Sequence, residues 1–134
     1  MARIGSNSLL IHIGQLWIIN IPHTDDPSKT ERRPAVIVGW SQFGENQDQV
    51  ILFVPITSFG GGGHPRSGDV KIPDPAQFGL SPNSYVHARR ITPIHPILLT
   101  PNDGPKDSLD IGTMDKILKE LETLFDVPTH AFVK

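Results

Sequence analysis

The chain has 134 residues, a formal net charge of −2 and no cysteine. Its length suits a single domain with a buried core and is too short for two independent domains. The lack of cysteine excludes a disulfide framework, a thiolate metal site and a cysteine nucleophile. The negative charge argues against a uniformly basic nucleic-acid-binding surface.

The sequence shows no sign of a membrane or export segment. No apolar stretch approaches the roughly 20 residues of a membrane-spanning helix. The first residues, Met-Ala-Arg-Ile-Gly-Ser-Asn-Ser, lack the apolar region of a secretory signal. We therefore expect a cytoplasmic protein that does not enter a membrane.

Charge is distributed unevenly along the chain. Basic residues fall mainly in the first two-thirds, at Lys29, Arg32, Arg33, Arg66, Lys71, Arg89 and Arg90. Acidic residues crowd the last third, at Asp103, Asp107, Asp110, Asp115, Glu120, Glu122 and Asp126. A local basic patch is compatible with this distribution although the whole chain is slightly acidic.

The first predicted strand is Gly14–Ile21, with Leu9–Ile13 as a possible lead-in. Pro22 ends it because proline has no N–H group for the ladder. A charged loop follows over Pro22–Thr30.

A β-hairpin comes next. The apolar runs Ala35–Trp40 and Val50–Ile56 are rich in β-branched and aromatic residues and flank a polar segment. If the connecting loop is symmetric about its centre, Trp40 pairs with Val50.

The same register, carried outward, places Arg33 opposite Thr57. Directly opposed side chains on an antiparallel pair have Cβ atoms about 4.5 to 5.5 Å apart, so the two residues could hold one substrate group together. A bulge or a one-residue slip would break this inference.

The second half of the chain is predicted to form shorter or interrupted elements. Gly68–Ile72 is a short strand, Pro73–Pro82 is a connection rich in proline and glycine, and Ser84–Ile94 is one long strand. Leu98–Asp110 is interrupted by proline and glycine and is predicted to be a loop.

One helix is predicted over Thr113–Phe125, with Thr113 as N-cap and Asp115 in the first turn. Apolar residues recur on one face at the spacing of an amphipathic helix, at Met114, Ile117, Leu118, Leu121, Leu124 and Phe125. We expect this face to pack on the sheet or on a second subunit.

The order of elements, strands followed by one helix, predicts a mainly β protein of the α+β class. The thirteen prolines and twelve glycines favour a small, strongly curved antiparallel barrel with an appended C-terminal helix. We expect one domain over residues 1–134 with its core at about 14–125, an N-terminal extension or lead-in strand at 1–13, and a tail at 126–134.

Five motifs occur in a distinctive order along the chain. They are Gly14-Gln15-Leu16-Trp17-Ile18, Arg33-Pro34-Ala35-Val36-Ile37-Val38, Val54-Pro55-Ile56-Thr57-Ser58, Ser84-Tyr85-Val86 leading to Arg90-Ile91, and the amphipathic helix. In this order, from about Gly14 to Phe125, the chain resembles the MazF/PemK toxins of type II toxin-antitoxin systems.

The resemblance implies an SH3-like barrel that forms a homodimer, cleaves single-stranded RNA or mRNA at selected sequences without a metal or other cofactor, and is silenced by a small MazE/PemI-like antitoxin. In that family the arginine before the proline and the threonine of Pro-Ile-Thr carry the cleavage. These residues correspond to Arg33 and Thr57 here.

The chemistry of such a cleavage can be compared with these two side chains. Without a metal, the neighbouring 2′-hydroxyl attacks the phosphate and leaves a 2′,3′-cyclic phosphate, so the site must remove a proton, stabilise charge and protonate the leaving oxygen. The planar guanidinium of Arg33 suits charge stabilisation. Thr57 can orient a hydroxyl or donate to the phosphate. Neither residue is a good base, so a titrating partner is missing.

Three residues are candidates for that partner. Ser28 stands where the family often has a glutamate, but Glu31 is two residues before Arg33 and would point to the same face of a strand. His23 and His64 flank the arginine and the threonine in the sequence, and histidine titrates near neutrality. The alternative is that all three candidates are solvated loop residues.

No metal site is predicted, because the remaining histidines lack the spacing of metal ligands. These are His12, His87, His95 and His130.

The residues predicted to bind RNA surround the proposed pair. Gly60–Gly63 lacks a P-loop pattern and is either a mobile flap or a plain hairpin loop, with Phe59 at its root as a base-stacking platform. On a continuous strand only one of Arg89 and Arg90 can face the groove, and the family favours Arg90. The full set is Lys29, Arg32, Ser58, Phe59, Arg66 and Arg90.

Two other functions are compatible with the same fold. A CcdB-like toxin would bind gyrase through its C-terminal helix end, but the tail at 126–134 does not resemble the gyrase-binding terminus. A catalytically inactive interaction module is favoured by Ser28 in place of the glutamate and by the net negative charge.

Overall fold

The computed structural model describes residues 2–4, 9–23, 25–43, 48–60 and 63–124. Within these residues the chain forms eight strands and one α-helix. They are β1 (Ala2–Ile4), β2 (Leu9–Ile11), β3 (Leu16–Pro22), β4 (Thr30–Phe43), β5 (Asp48–Ser58), β6 (Asp69–Lys71), β7 (Ser84–His87), β8 (Thr92–Ile94) and α1 (Ile111–Leu124). Three short 3₁₀ turns, Pro75–Phe78, Pro96–Leu98 and Pro101–Asp103, connect them.

The main sheet is antiparallel and has the strand order β3-β4-β5-β7-β6, with β8 also paired to β5. β1 and β2 form a separate two-stranded sheet. The mainly β architecture with a C-terminal helix is therefore confirmed. The expected barrel is not closed, because no pairing joins β3 to β6 within the described strands.

The hairpin of β4 and β5 has a bulge that the sequence does not reveal. Ser41, and not Trp40, pairs with Val50, so the predicted register is wrong by one residue near the loop. The register shifts between Ile37 and Gly39, which leaves Val38 as the extra residue.

Beyond the bulge the strands follow the predicted register. Ala35 pairs with Pro55. This is the last pair of the β4–β5 ladder. Arg33 lies two residues before Ala35, and Thr57 lies two residues after Pro55. The bulge therefore compensates for the misplaced loop, and both candidate residues lie just beyond the end of this ladder.

The predicted single strand Ser84–Ile94 is wrong. Val86 in β7 pairs with Ile56, whereas Thr92 in β8 pairs with Phe53. Val86 and Thr92 are six residues apart, but their partners on β5 are only three residues apart. The residues between Val86 and Thr92 therefore cannot all pair with β5, and part of this segment forms a turn. An uninterrupted alternation of side chains cannot hold across that turn.

Two hydrophobic clusters lie on opposite faces of the central strands, because successive strand residues point in opposite directions. One contains Val36, Val54 and Val86 and is covered by α1. The other contains Trp17 and Phe53. Arg33 on β4 and Thr57 on β5 have the same strand alternation as the residues of the second cluster. They therefore lie on the same face of the sheet, where its apolar residues end.

The helix is confirmed but begins earlier than predicted. Asp110, not Thr113, is its cap: the Asp110 carboxylate accepts hydrogen bonds from the Thr113 hydroxyl at 2.6 Å and from the Thr113 N–H at 3.0 Å. These bonds, that of the hydroxyl first, lower the pKa of Asp110.

The predicted apolar face of the helix is only partly buried. Met114, Ile117 and Leu121 are buried against the sheet, whereas Leu118 and Leu124 are exposed. Phe125 and the tail at 126–134 lie outside the described residues. Within those residues, no helix has the length and hydropathy that crossing a membrane requires.

Candidate functional site

A pocket of about 470 Å³ opens where the central strands end. Four arginines contribute to its wall, which are Arg33, Arg66, Arg89 and Arg90. Its other lining residues are Thr57, Phe59, Asp69 and His87. A neighbouring pocket of about 540 Å³ shares Arg33 and Thr57 and also includes Ser58 and Lys106. The two residues singled out by the hairpin register therefore lie together at the junction of two depressions.

Arg33 is held by a carboxylate on its own strand. Its Nε lies 2.6 Å from Oε1 of Glu31, and the arginine side chain is 30% exposed. Spacing by two residues places both on one face, as the sequence predicts. The other Glu31 oxygen lies 4.0 Å from Nε2 of His23. Because Glu31 takes the Nε side, the terminal nitrogens of Arg33 have no partner within the described residues and can bind two oxygens of a phosphate.

Thr57 is fixed by the neighbouring strand on its other side. It pairs with Tyr85 of β7, and the next residue, Ser58, pairs with Ser84. The Phe59 ring contacts Tyr85 edge-on with ring centroids 5.5 Å apart. Phe59 thus has a fixed ring beside the arginines, as a base-stacking residue requires.

Arg89 and Arg90 both line the pocket, contrary to the expectation that only one could do so. The expectation was wrong because both lie in or beside the turn between β7 and β8, where strand alternation does not apply. Arg90 donates from Nη2 to the Pro22 carbonyl at 2.6 Å. Arg89 donates to Glu120 of the helix at 3.2 Å.

The backbone of Gly68 makes room for the Arg89 side chain. Gly68 has a positive φ of 92°, and a Cβ at this position would lie 2.5 Å from Nε of Arg89. The positive φ favours glycine, and a larger residue here would require the Arg89 side chain to move.

His87 and Asp69 are pocket residues that the sequence reasoning did not select. His87 Nδ1 lies 2.5 Å from Asp69 Oδ1. The two are direct partners in the β6–β7 ladder. The two residues are 18 positions apart in the sequence, so no local spacing could have indicated that this strand pairing brings them together.

Arg32 and Lys29, predicted to bind RNA, lie outside the pocket. Arg32 forms an ion pair and hydrogen bond with Asp103 near a small separate cavity. The Thr100 hydroxyl, and after it the Arg32 guanidinium, lower the pKa of Asp103, although desolvation opposes them. Lys29 lies 3.9 Å from Asp26.

The remaining base candidates also lie outside the pocket lining. His23 and Glu31 contact each other beside Arg33, and His64 is exposed. Ser28 donates its hydroxyl to Asp26 at 2.6 Å. Within the described part of the chain, no group of three or more His, Asp or Glu side chains is arranged to bind a metal ion.

Comparison with known proteins identifies the family. No curated protein sequence matches the chain significantly. The model of the PemK-like, MazF-like toxins of type II toxin-antitoxin systems matches residues 12–125. The match includes β3 to β8 and the whole of α1, and it contains every residue of the pocket. The chain therefore belongs to the PemK-like, MazF-like toxins of type II toxin-antitoxin systems.

Proposed function

We propose that the protein is a sequence-selective endoribonuclease that cleaves single-stranded RNA without a metal ion or other cofactor. The observation that carries this proposal is the pocket itself, in which Arg33 and Thr57 lie together with three further arginines. Such a concentration of guanidinium groups on a chain of net charge −2 suits a polyanion that enters one groove.

The proposed reaction uses the RNA's own 2′-hydroxyl as nucleophile. The free end of the Arg33 guanidinium binds the non-bridging oxygens of the scissile phosphate and stabilises the charge that develops there. The Thr57 hydroxyl orients the attacking group or donates to the phosphate. The products are a 2′,3′-cyclic phosphate and a 5′-hydroxyl.

The other pocket residues hold the strand on either side of the cut. Arg66, Arg89 and Arg90 contact flanking phosphates, and Phe59 stacks on a base. Ser58 lies in the adjacent pocket and extends the contact surface. We leave Arg32 and Lys29 out of this groove because both pair with carboxylates elsewhere.

We further propose a cytoplasmic homodimer that is inhibited by a small antitoxin. Membership of a family of type II toxin-antitoxin toxins supports the antitoxin partner. An acidic antitoxin segment would be repelled by the acidic last third of the chain and attracted by the four arginines, so we expect it to cover the pocket and to block RNA by direct competition.

The test is cleavage of a pool of unstructured RNAs by the purified protein in excess EDTA, with both product ends mapped. We expect cuts at one short recurring sequence, with 2′,3′-cyclic phosphate and 5′-hydroxyl ends. A strict requirement for added metal would overturn the mechanism, and the absence of cleavage would favour an inactive module. Gyrase-linked DNA breaks in cells, without RNA cuts, would favour a gyrase poison.

A further inference from the structure

The His87–Asp69 pair has the construction of a proton-transfer group. The Asp69 side chain is 1% exposed. One of its oxygens lies 2.5 Å from His87 Nδ1, and the other accepts the Arg66 backbone N–H at 2.8 Å. Because both oxygens have partners, the carboxylate has a fixed orientation.

This geometry determines which ring nitrogen of His87 is available. A carboxylate only accepts hydrogen bonds, so Nδ1 of a neutral ring carries the hydrogen and Nε2 keeps a free lone pair. The His87 side chain is 25% exposed and lines the pocket. An acceptor nitrogen is therefore present among the arginines.

His87 also lies at a suitable place relative to Thr57. Thr57 pairs with Tyr85, and His87 is two residues further along β7 on the same face. Such diagonal neighbours are about 7 to 8 Å apart. A ribose 2′-hydroxyl can be placed between the threonine and the histidine while its phosphate contacts Arg33.

The alternative bases are less well placed. Glu31 holds Arg33 at 2.6 Å, so proton uptake there would weaken the arginine's support. His23, Glu31 and His64 do not line the pocket, whereas His87 does. Among the histidines that the structure describes, His87 is the one that shares a wall with both Arg33 and Thr57.

We propose that His87 is the general base of the reaction and that Asp69 is its positioning residue; this inference rests on the proposed ribonuclease function. Nε2 takes the proton of the 2′-hydroxyl as the O2′–P bond forms and the P–O5′ bond breaks. The leaving 5′-oxygen takes a proton from water, and the hydroxide so formed removes the proton from the imidazolium. No net proton is consumed.

Both negative and positive groups surround His87. Asp69 places a negative charge beside the ring, whereas the guanidinium groups in the wall place positive charges near it. The groups of the pocket are Asp69 on β6, Arg66 before it, Arg89 and Arg90 after β7, and Arg33 on β4 with its partner Glu31.

The first experiment measures single-turnover cleavage of a mapped RNA site from pH 5 to 9 in EDTA. We expect wild-type activity to fall on the acid side, and His87→Ala to be slower by about 10²- to 10⁴-fold with that acid limb removed. His87→Gln keeps a donor toward Asp69 and should show the same loss, so a folding defect in the alanine variant would not hide the result. His95→Ala, an exposed histidine outside the pocket, is the matched control and should retain the wild-type profile.

A binding measurement separates chemistry from affinity. An RNA with a 2′-deoxy nucleotide at the cleavage site cannot react. We expect His87→Gln to bind it within about threefold of wild type, because the four arginines supply most of the contact with phosphate. A loss of binding as large as the loss of rate would overturn the general-base role.

The role of Asp69 has a readout that needs no RNA. In protein with ¹⁵N-labelled histidine, His87 should show the tautomer with hydrogen on Nδ1, and Asp69→Asn should shift it toward hydrogen on Nε2. We expect cleavage by this variant to be slower by about ten- to a hundredfold, as found for carboxylates that orient metal-binding histidines. An unchanged tautomer with full activity would overturn the positioning role.

Failure of this inference can be told apart from failure of the proposed function. A wild-type protein that cuts no RNA overturns both. A wild-type protein that cuts RNA while His87→Gln remains within threefold with an intact acid limb overturns the inference alone. Loss of the acid limb in His23→Ala, His64→Ala or Glu31→Gln, but not in His87→Gln, would transfer the role to that residue.

Discussion

Adjacent arginines on β4 have different partners because strand residues alternate between faces. Arg33 contacts Glu31 and lines the pocket, whereas its neighbour Arg32 contacts Asp103. Both carry the same charge, so any difference between their variants reports position and not net charge. The pair is a matched comparison for the proposed phosphate contact.

At the residue scale we therefore predict that Arg33→Ala loses cleavage by about 10²- to 10³-fold, the usual cost of removing one group that stabilises the developing charge. Arg33→Lys should also be severely impaired, because an ammonium cannot bind two oxygens in the manner of a guanidinium. Arg32→Ala should remain within a few-fold of wild type. Single-turnover rates on one mapped RNA, with thermal unfolding to verify the fold, provide the measurement. Equal losses in the two alanine variants would contradict the assignment.

At the element scale, the start of α1 depends on one ionised side chain. The hydrogen bond from the Thr113 hydroxyl, followed by that from the Thr113 N–H, lowers the pKa of Asp110 in the folded protein. The ordinary value for aspartate in an unfolded chain is about 3.9. The stabilisation is therefore complete above that value and is lost as the pH falls through the lower, folded-state pKa.

We predict that Asp110→Asn is less stable than wild type at pH 7 and that the difference shrinks as the pH falls toward 3. Asparagine is also a good N-cap, so this variant removes the titration and keeps a capping oxygen. Asp110→Ala removes both and should be the least stable of the three at pH 7. Urea unfolding at a series of pH values measures the differences, and a gap between wild type and Asp110→Asn that stays constant with pH would refute the argument.

The elements also indicate which parts of the fold and site the sequence could predict. The placement of Glu31 and Arg33 on one face of a strand follows from a spacing of two residues and was predicted; their contact is seen in the structure. Features that depend on the partner strand were not: the bulge at Val38 and the turn between β7 and β8 both arise from how each segment pairs with β5. The helix was recognisable from its apolar period, but its cap at Asp110 was not.

The same distinction between local features and features that depend on strand pairing applies to the pocket residues. Arg33 and Thr57 were found because a hairpin joins neighbouring segments whose register can be extended. Asp69 and His87 were missed because β6 and β7 are joined by a long irregular connection, and nothing in either segment specifies that the two residues are opposite each other. The expectation that Arg89 lies outside the groove fails because strand alternation does not hold in a segment that turns.

At the scale of the whole molecule, charge is separated between a basic pocket and an acidic last third. The net charge of −2 conceals this separation. The four arginines of the pocket come from β4, from the segment before β6 and from the turn after β7, so folding alone concentrates them. The acidic residues of α1 and its preceding loop contribute one pocket contact, between Glu120 and Arg89.

This separation predicts how RNA affinity depends on salt. If the four arginines of one pocket each neutralise a phosphate, the logarithm of the binding constant should fall with the logarithm of salt concentration with a slope of about −3, since single strands give about −0.7 per neutralised phosphate. Arg66→Ala or Arg90→Ala should reduce the slope by about 0.7. Lys116→Ala removes a positive charge from the exposed side of α1 and should leave the slope unchanged. Fluorescence anisotropy with the 2′-deoxy RNA in EDTA measures all four proteins. A slope near zero, or an equal change in the lysine variant, would mean that overall charge and not the pocket binds the strand.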